Sequence, residues 1–172
     1  NSTKTADKIN FKIAMFGDFP NVHIPLKDMG WRGDFDYKKI ESFALGWGEI
    51  QHASLYADWK NKFYREGVFL KKYDVELKNE KETPIYSNGK EKMKDHCDTA
   101  MAWDSCRVLM EDPSINLVIL ITGDSDFIPV VKRIKDLRNI SVFIISVANS
   151  MSSALEKVAD KVFYYQDIIY PK

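Results

Sequence analysis

The chain has 172 residues, 45% of them hydrophobic, and 25 Lys plus Arg balance 25 Asp plus Glu, so its formal net charge is zero. That balance argues against a protein gripping nucleic acid by non-specific electrostatics alone, two cysteines exclude a disulfide framework or a four-cysteine zinc site, and no apolar run approaches the ~20 residues of a membrane span. The length suits one domain of roughly 100–200 residues, so residues 1–172 are expected to form a single unit, with the polar stretch 1–10 a flexible tail.

Phe11–Phe16 is a short apolar run that stops at Gly-Asp, as a strand buried on both faces would. Asp18, Phe19, Pro20 and Asn21 then read as a turn, being rich in turn formers. Around Asp36–Trp47 the residues Tyr37, Ile40, Phe43, Ala44 and Trp47 recur at helical spacing. His52–Ala57 reads as a second strand, Lys60–Leu70 as a helix and Val75–Leu77 as a short third strand. The polar stretch Glu80–Lys92, with Pro84 and Asn88-Gly89, fits either a loop or a small hairpin.

Asp98–Met110 is helical in pattern. On one such helix Cys97 and Cys106 lie ~13 Å apart along the axis, too far to bridge, and a reducing, cytoplasmic setting is the expectation. Leu117–Thr122 is the clearest central strand and runs into Gly123-Asp124-Ser125-Asp126. A helix over Phe127–Leu137 follows, with Pro129 in its first turn, where a missing N–H is harmless. Val142–Val147 is another strand, Ser152–Val158 a short helix and Val162–Tyr165 a last strand. Alternation of this kind predicts a three-layer α/β fold, Rossmann-like in type, with a mostly parallel central sheet and helices on both faces.

In such sheets ligands bind beyond the carboxyl ends of the strands, and two strands here end in acid. Gly17-Asp18 closes the first, and Gly123-Asp124 follows the most apolar one. Capping by Ser125 or Asp126 would explain one polar residue there, but not two carboxylates at one strand mouth, whose charges repel unless a cation relieves them. Asp98 opens a helix, where an acid also suits the dipole. Asp104 lies about 120° round that helix from Asp98, which leaves it a supporting or surface role. Lys94 stands within reach of a phosphate, although a solvated lysine explains it equally. Carboxylates without thiols suit hard cations such as Mg²⁺ or Mn²⁺. His23, His52 and His96 show no metal-ligand spacing and read as surface or packing residues.

These residues carry a family resemblance. Asp18-Phe19-Pro20-Asn21 resembles the Asp-x-x-Asn that ends the first strand of NYN domains, in the PIN-like nuclease superfamily. Lys94, Asp98 and Asp104 are similar to that family's Lys…Asp…Asp helix start, and Thr122-Gly123-Asp124-Ser125-Asp126-Phe127-x-Pro129 resembles its Ser/Thr-Gly-Asp-Ser-Asp-Phe-x-Pro signature. Tyr56-Ala57-Asp58-Trp59, and Ser152 or Ser153 with Leu155 and Ala159-Asp160, are similar to motifs of the LabA-like branch. The resemblance implies a PIN-like fold and a Mg²⁺- or Mn²⁺-dependent ribonuclease. Asp18, Asp98, Asp124 and Asp126 would hold the metal and orient the attacking water. Asn21 and Thr122 would steady that cluster, with Asp104, Lys94 and Ser125 around it. Two departures stand out. Phe19-Pro20 replaces a small and acidic pair, and Asn139 stands where a glycine often ends a helix, a position it can fill in the left-handed conformation.

A non-cleaving module that binds RNA or protein on the same fold is the main alternative, because fold does not determine activity. A haloacid-dehalogenase-type phosphatase would need an acid at position 20, which is proline, and no Gly-x-Gly-x-x-Gly supports dinucleotide binding. For RNA, three basic clusters are available: Lys60, Lys62, Arg65, Lys71 and Lys72; Lys90, Lys92 and Lys94; and Lys132, Arg133 and Lys135. Trp31, Phe35, Tyr56 or Trp59 could stack unpaired bases, which would favour single strands. A helix face or an edge strand is available for a homo-oligomer, and nothing in the sequence selects one.

Overall fold

The computed structural model describes residues 10–172, so the expected tail over residues 1–10 lies, Asn10 apart, outside the described residues. The chain runs β1 (Phe11–Asp18), α1 (Phe19–Asp28), α2 (Tyr37–Leu45), β2 (Gly48–Ala57), α3 (Tyr64–Leu70) and β3 (Glu76–Asn79). It continues through β4 (Thr83–Ser87), β5 (Lys90–Lys94), α4 (Cys97–Glu111), β6 (Leu117–Ile121) and α5 (Ile128–Leu137). β7 (Ser141–Ser146), α6 (Ser153–Val158), β8 (Lys161–Tyr164) and α7 (Tyr165–Ile169) complete it. Six strands in the order β3-β2-β1-β6-β7-β8 make the middle layer, and every neighbouring pair is parallel. β4 and β5 form a separate antiparallel hairpin.

Side-chain alternation along the strands divides the core between the two faces of the sheet. Ile13 and Met15 of β1, with Leu117, Ile119 and Ile121 of β6, pack on α1, α2, α3 and α7. Ala14 and Phe16, with Val118 and Leu120, pack on α4, α5 and α6. β6 is buried along its whole length, which is why its sequence is a continuous apolar run rather than an alternating one. The expected three-layer α/β architecture is therefore present.

Two helices were not visible in the sequence. α1 replaces the expected turn after Asp18: Phe19, Val22 and Leu26 form its buried stripe, and Pro20 fits its first turn. Pro25 lies inside the helix, where the ring removes a donor and works against helicity. Tertiary packing outweighs this, since the Phe19 ring sits 4.9 Å from Trp59, 5.4 Å from Phe63 and 5.6 Å from Phe35. α7, a single short turn after β8, is held by its buried Tyr165 and Ile169. β2 starts at Gly48, before the expected His52, and α3 starts at Tyr64 after a turn-rich stretch. Residues 80–92 resolve into the hairpin option. Asn88 (φ 52°) and Gly89 (φ 72°) both take the left-handed conformation at its tip, as a two-residue hairpin turn requires.

Asn139 does not act as a left-handed cap, because Asn88 is the one non-glycine among the described residues with positive φ. α5 ends instead at Arg138 in extended backbone. The Arg138 guanidinium reaches the end of α4, donating to the carbonyls of Leu109 (2.8 Å), Asp112 (3.1 Å) and Ile115 (3.1 Å). One planar fork thus satisfies three carbonyls around a helix end and the loop after it. Among the described residues, no helix is long and apolar enough to cross a membrane.

Losing charged hydrogen bonds of this kind costs about 1.5–3 kcal/mol. Arg138→Ala is expected to lower Tm by roughly 5 °C or more in thermal denaturation, and Arg138→Lys to recover only part of the loss. An unchanged Tm in the alanine variant would remove Arg138 as the tie between α4 and α5.

Candidate functional site

β1 lies between β2 and β6, so the chain leaves it toward one side of the sheet and returns on the other. At such a switch point the connections diverge and leave a crevice beyond the carboxyl ends. Gly17 pairs with Ile121, which brings Asp18 and Thr122 side by side at the strand ends. Asp18 caps α1, accepting the Asn21 amide N–H at 3.4 Å. The Asn21 side-chain oxygen accepts the Gly123 amide at 2.8 Å and the Thr122 hydroxyl at 3.3 Å, and the Thr122 Oγ1 accepts the Asp124 amide at 3.2 Å. Three consecutive residues of one loop are thereby tied to the first turn of α1. Gly123 is required there by space: a Cβ would meet the Ser146 hydroxyl and stand 2.5 Å from the Ser150 carbonyl oxygen.

Asp124 itself caps the short 3₁₀ turn Ser125–Phe127, accepting the Asp126 amide at 2.9 Å. The expected capping by Ser125 or Asp126 is corrected accordingly. Both of those residues are exposed at the rim. α4 supplies Asp98 in its first turn. Asp98, Asp124 and Asp126 each offer a carboxylate oxygen, all within 4.8 Å of one another. Asp18 belongs to an adjoining group, in which it, Asp95 and Cys97 meet the same distance. The four expected aspartates therefore do not form one ring; they divide between two neighbouring groups. Asp18, Asp95, Asp98 and Asp124 all line one open cleft of about 500 Å³, together with Asn21 and Lys94.

Asp104 faces elsewhere. It accepts the Tyr56 hydroxyl at 2.7 Å and lies 3.6 Å from the Arg107 guanidinium, so it joins α4 to β2. Asp95 went unrecognised in the sequence because it follows Lys94 in a polar lead-in to the helix. Its carboxylate accepts the Cys97 amide at 2.7 Å, a short-range turn whose only sequence signal is an acid two residues before a helix start. Phe35, Tyr56 and Trp59 are buried in the core and Trp31 packs against it, so the expected base-stacking role for these four is corrected. Asp58 is buried too, and its carboxylate holds the Asn61 side chain at 3.0 Å. The histidines are packing or local hydrogen-bonding residues, with His23 stacked on Phe19, His52 bonded to Ser54 and His96 to Thr83.

Burial dominates the electrostatics of Asp18, which is 5% exposed. Desolvation pushes its carboxyl up from 3.8 to about 8, Asp95 adds to the rise, the Asn21 amide opposes it, and Asp98 and Asp124 add further. The Cys97 thiol is likewise held strongly protonated by burial and then by Asp95. An all-carboxylate donor set suits a hard divalent cation. A buried carboxylate crowded by three others is the arrangement that such a cation relieves.

In the absence of metal, folded Asp18 keeps a proton that the unfolded chain releases near 3.8. Its contribution to stability is complete below that pH and is lost as pH rises through about 8. Denaturant titrations of chelator-treated protein at pH 5 and pH 9 should therefore show this loss. Asp18→Asn should reduce it and be the more stable form at pH 9, by on the order of a few kcal/mol. Equal pH slopes for the two proteins would contradict the burial effect.

No curated protein matches the chain. Among solved structures, it resembles the crystal structure of a protein of unknown function from Vibrio parahaemolyticus, with 26% identity over 95% of this chain and 98% of that one and a TM-score of 0.70. The fold is thus shared across almost the whole length of both proteins. A family model described as the NYN domain matches residues 12–167, from the first residues of β1 to the last helix, and on that match the chain belongs to the NYN domain family.

Proposed function

We propose that this protein is a Mg²⁺- or Mn²⁺-dependent ribonuclease that hydrolyses RNA phosphodiester bonds at the acidic cleft. The observation that carries this reading is the meeting of Asp18, Asp95, Asp98 and Asp124 in one cleft at the switch point of the sheet. Membership of a family with a nuclease-like fold supports it. Asp98, Asp124 and Asp126 are the residues that would hold the ion, with Asp18 beside them. A dication bound there supplies charge neutralisation for phosphoryl oxygens and acidifies a water.

The chain's own groups account for the rest. Asp18, at the floor of the cleft beside the other acids, would help to hold the ion and orient the attacking water. Asn21 and Thr122 hold the Gly123-Asp124 backbone in place. Lys94, on the cleft wall, offers an ammonium to a phosphate, and exposed Ser125 offers a hydroxyl at the rim. The substrate form in this reading is single-stranded RNA. Placement in the LabA-like branch rests on Tyr56-Ala57-Asp58-Trp59 and the residues near Leu155, and a cytoplasmic setting on the two free thiols.

With labelled single-stranded RNA, cleavage is expected in Mn²⁺ and not in EDTA. Outer-shell changes at metal sites cost roughly 10–100-fold, so Asn21→Ala should lose activity in that range and Asp124→Asn more than that. RNA binding that persists in EDTA, with no cleavage in any metal, would instead identify a regulatory binding module.

A further inference from the structure

The β4–β5 hairpin has no role in the core. All ten residues of its two strands are exposed, and isolated two-stranded hairpins are marginal in water. It is nevertheless held at its base. The Thr83 hydroxyl lies 2.6 Å from His96, Glu82 accepts from Lys62 at 2.8 Å, and the buried Asp58 carboxylate accepts the Glu82 amide at 3.5 Å. From this footing the hairpin rises as one wall of the acidic cleft, contributing Ile85, Lys92, Met93 and Lys94 to its lining.

The charge on that wall is arranged in a line. Lys90, Lys92 and Lys94 alternate along β5, opposite Ser87, Ile85 and Thr83 of β4. Alternate residues of a strand share a face and stand ~6.8 Å apart, a step similar to that between phosphates of an extended nucleic-acid strand. None of the three has an acidic partner within 4 Å among the described residues, so each ammonium is open to a phosphate. Tyr86, 79% exposed, lies on the other face with Glu91, so the lysine face offers charge without an aromatic platform.

The geometry points to a backbone clamp: the hairpin lies along single-stranded RNA leaving the cleft, and Lys92 and Lys90 bind successive phosphates outward from Lys94. This rests on the ribonuclease reading and deepens it, since it assigns a substrate path and a mode of recognition that reads phosphates rather than bases. The line of ammonium groups also offsets the acids at the mouth, which would otherwise repel an incoming polyanion.

Binding of fluorescein-labelled oligouridylate, long enough to run the ~17 Å of the hairpin strand, should be measured by anisotropy across a salt series. In parallel, cleavage of the same RNA is followed in Mn²⁺. Each phosphate contact on a single strand contributes about 0.7 to the slope of log K against log salt. The Lys90→Ala/Lys92→Ala double variant should therefore lose about 1.4 of that slope, with an unchanged Tm. Lys90→Arg/Lys92→Arg should keep the slope, and oligoadenylate should be affected as oligouridylate is. An unchanged slope in the alanine variant of a protein that cleaves RNA overturns the clamp and leaves the nuclease reading standing. The expected slope loss in a protein that binds RNA but never cleaves it supports the clamp and sinks the nuclease. Wild-type protein that binds no RNA overturns both.

Discussion

The crowding of negative charge at the carboxyl end of β1 is the constraint around which the rest of the molecule is arranged. Asp18 sits where strand, helix and crevice meet, buried and close to three other carboxylates. An uncompensated charge in that position is expensive, so its environment is the part of the fold with the least freedom. A chain of local hydrogen bonds surrounds it: Asp18 to the Asn21 amide, Asn21 to Thr122 and Gly123, and Thr122 to Asp124. The strands at the centre of the sheet hold these positions because they are apolar on both faces. A scaffold without that double burial would yield to the repulsion by moving apart.

Aromatic packing has a comparable role on the opposite side of Asp18. Phe19 gathers His23, Phe35, Trp59 and Phe63 round itself, and this cluster is what lets a helix start directly at the end of β1 despite Pro25 in its interior. The same packing takes Phe35 and Trp59 into the core, away from any base-stacking surface. Side-chain type alone does not reveal that outcome, since a tryptophan in the core and one on a binding face look alike in sequence.

The strands with two buried faces were legible because burial on both sides leaves a continuous apolar run, as in Leu117–Ile121 and Ser141–Ser146. The first residues of β2 were not, since Gly48 and Ile50 are only partly buried, Glu49 and Gln51 are exposed, and the four carry no such run. α1 was hidden because Asp, Pro and Asn favour turns locally, and only contacts distant in sequence override them. At the site, Asp18, Asp98, Asp124 and Asp126 stood out by their place at strand and helix ends. Their division into two groups did not, because which oxygens approach depends on the entry angle of α4. Asp95 and the place of the hairpin beside the cleft escaped notice because both lie in polar segments, and the hairpin's direction is set by anchoring at Asp58 and His96.

The hairpin is inserted between β3 and α4 and contributes no buried strand residue. Its length, charge and outline can therefore diverge among descendants of this chain without repacking either layer. The carboxyl end of the sheet, by contrast, tolerates little drift, since Gly123 admits no side chain and Asn21 serves two partners at once. Conservative chemistry beside a freely variable arm is a layout in which new specificities can arise by changing the arm alone.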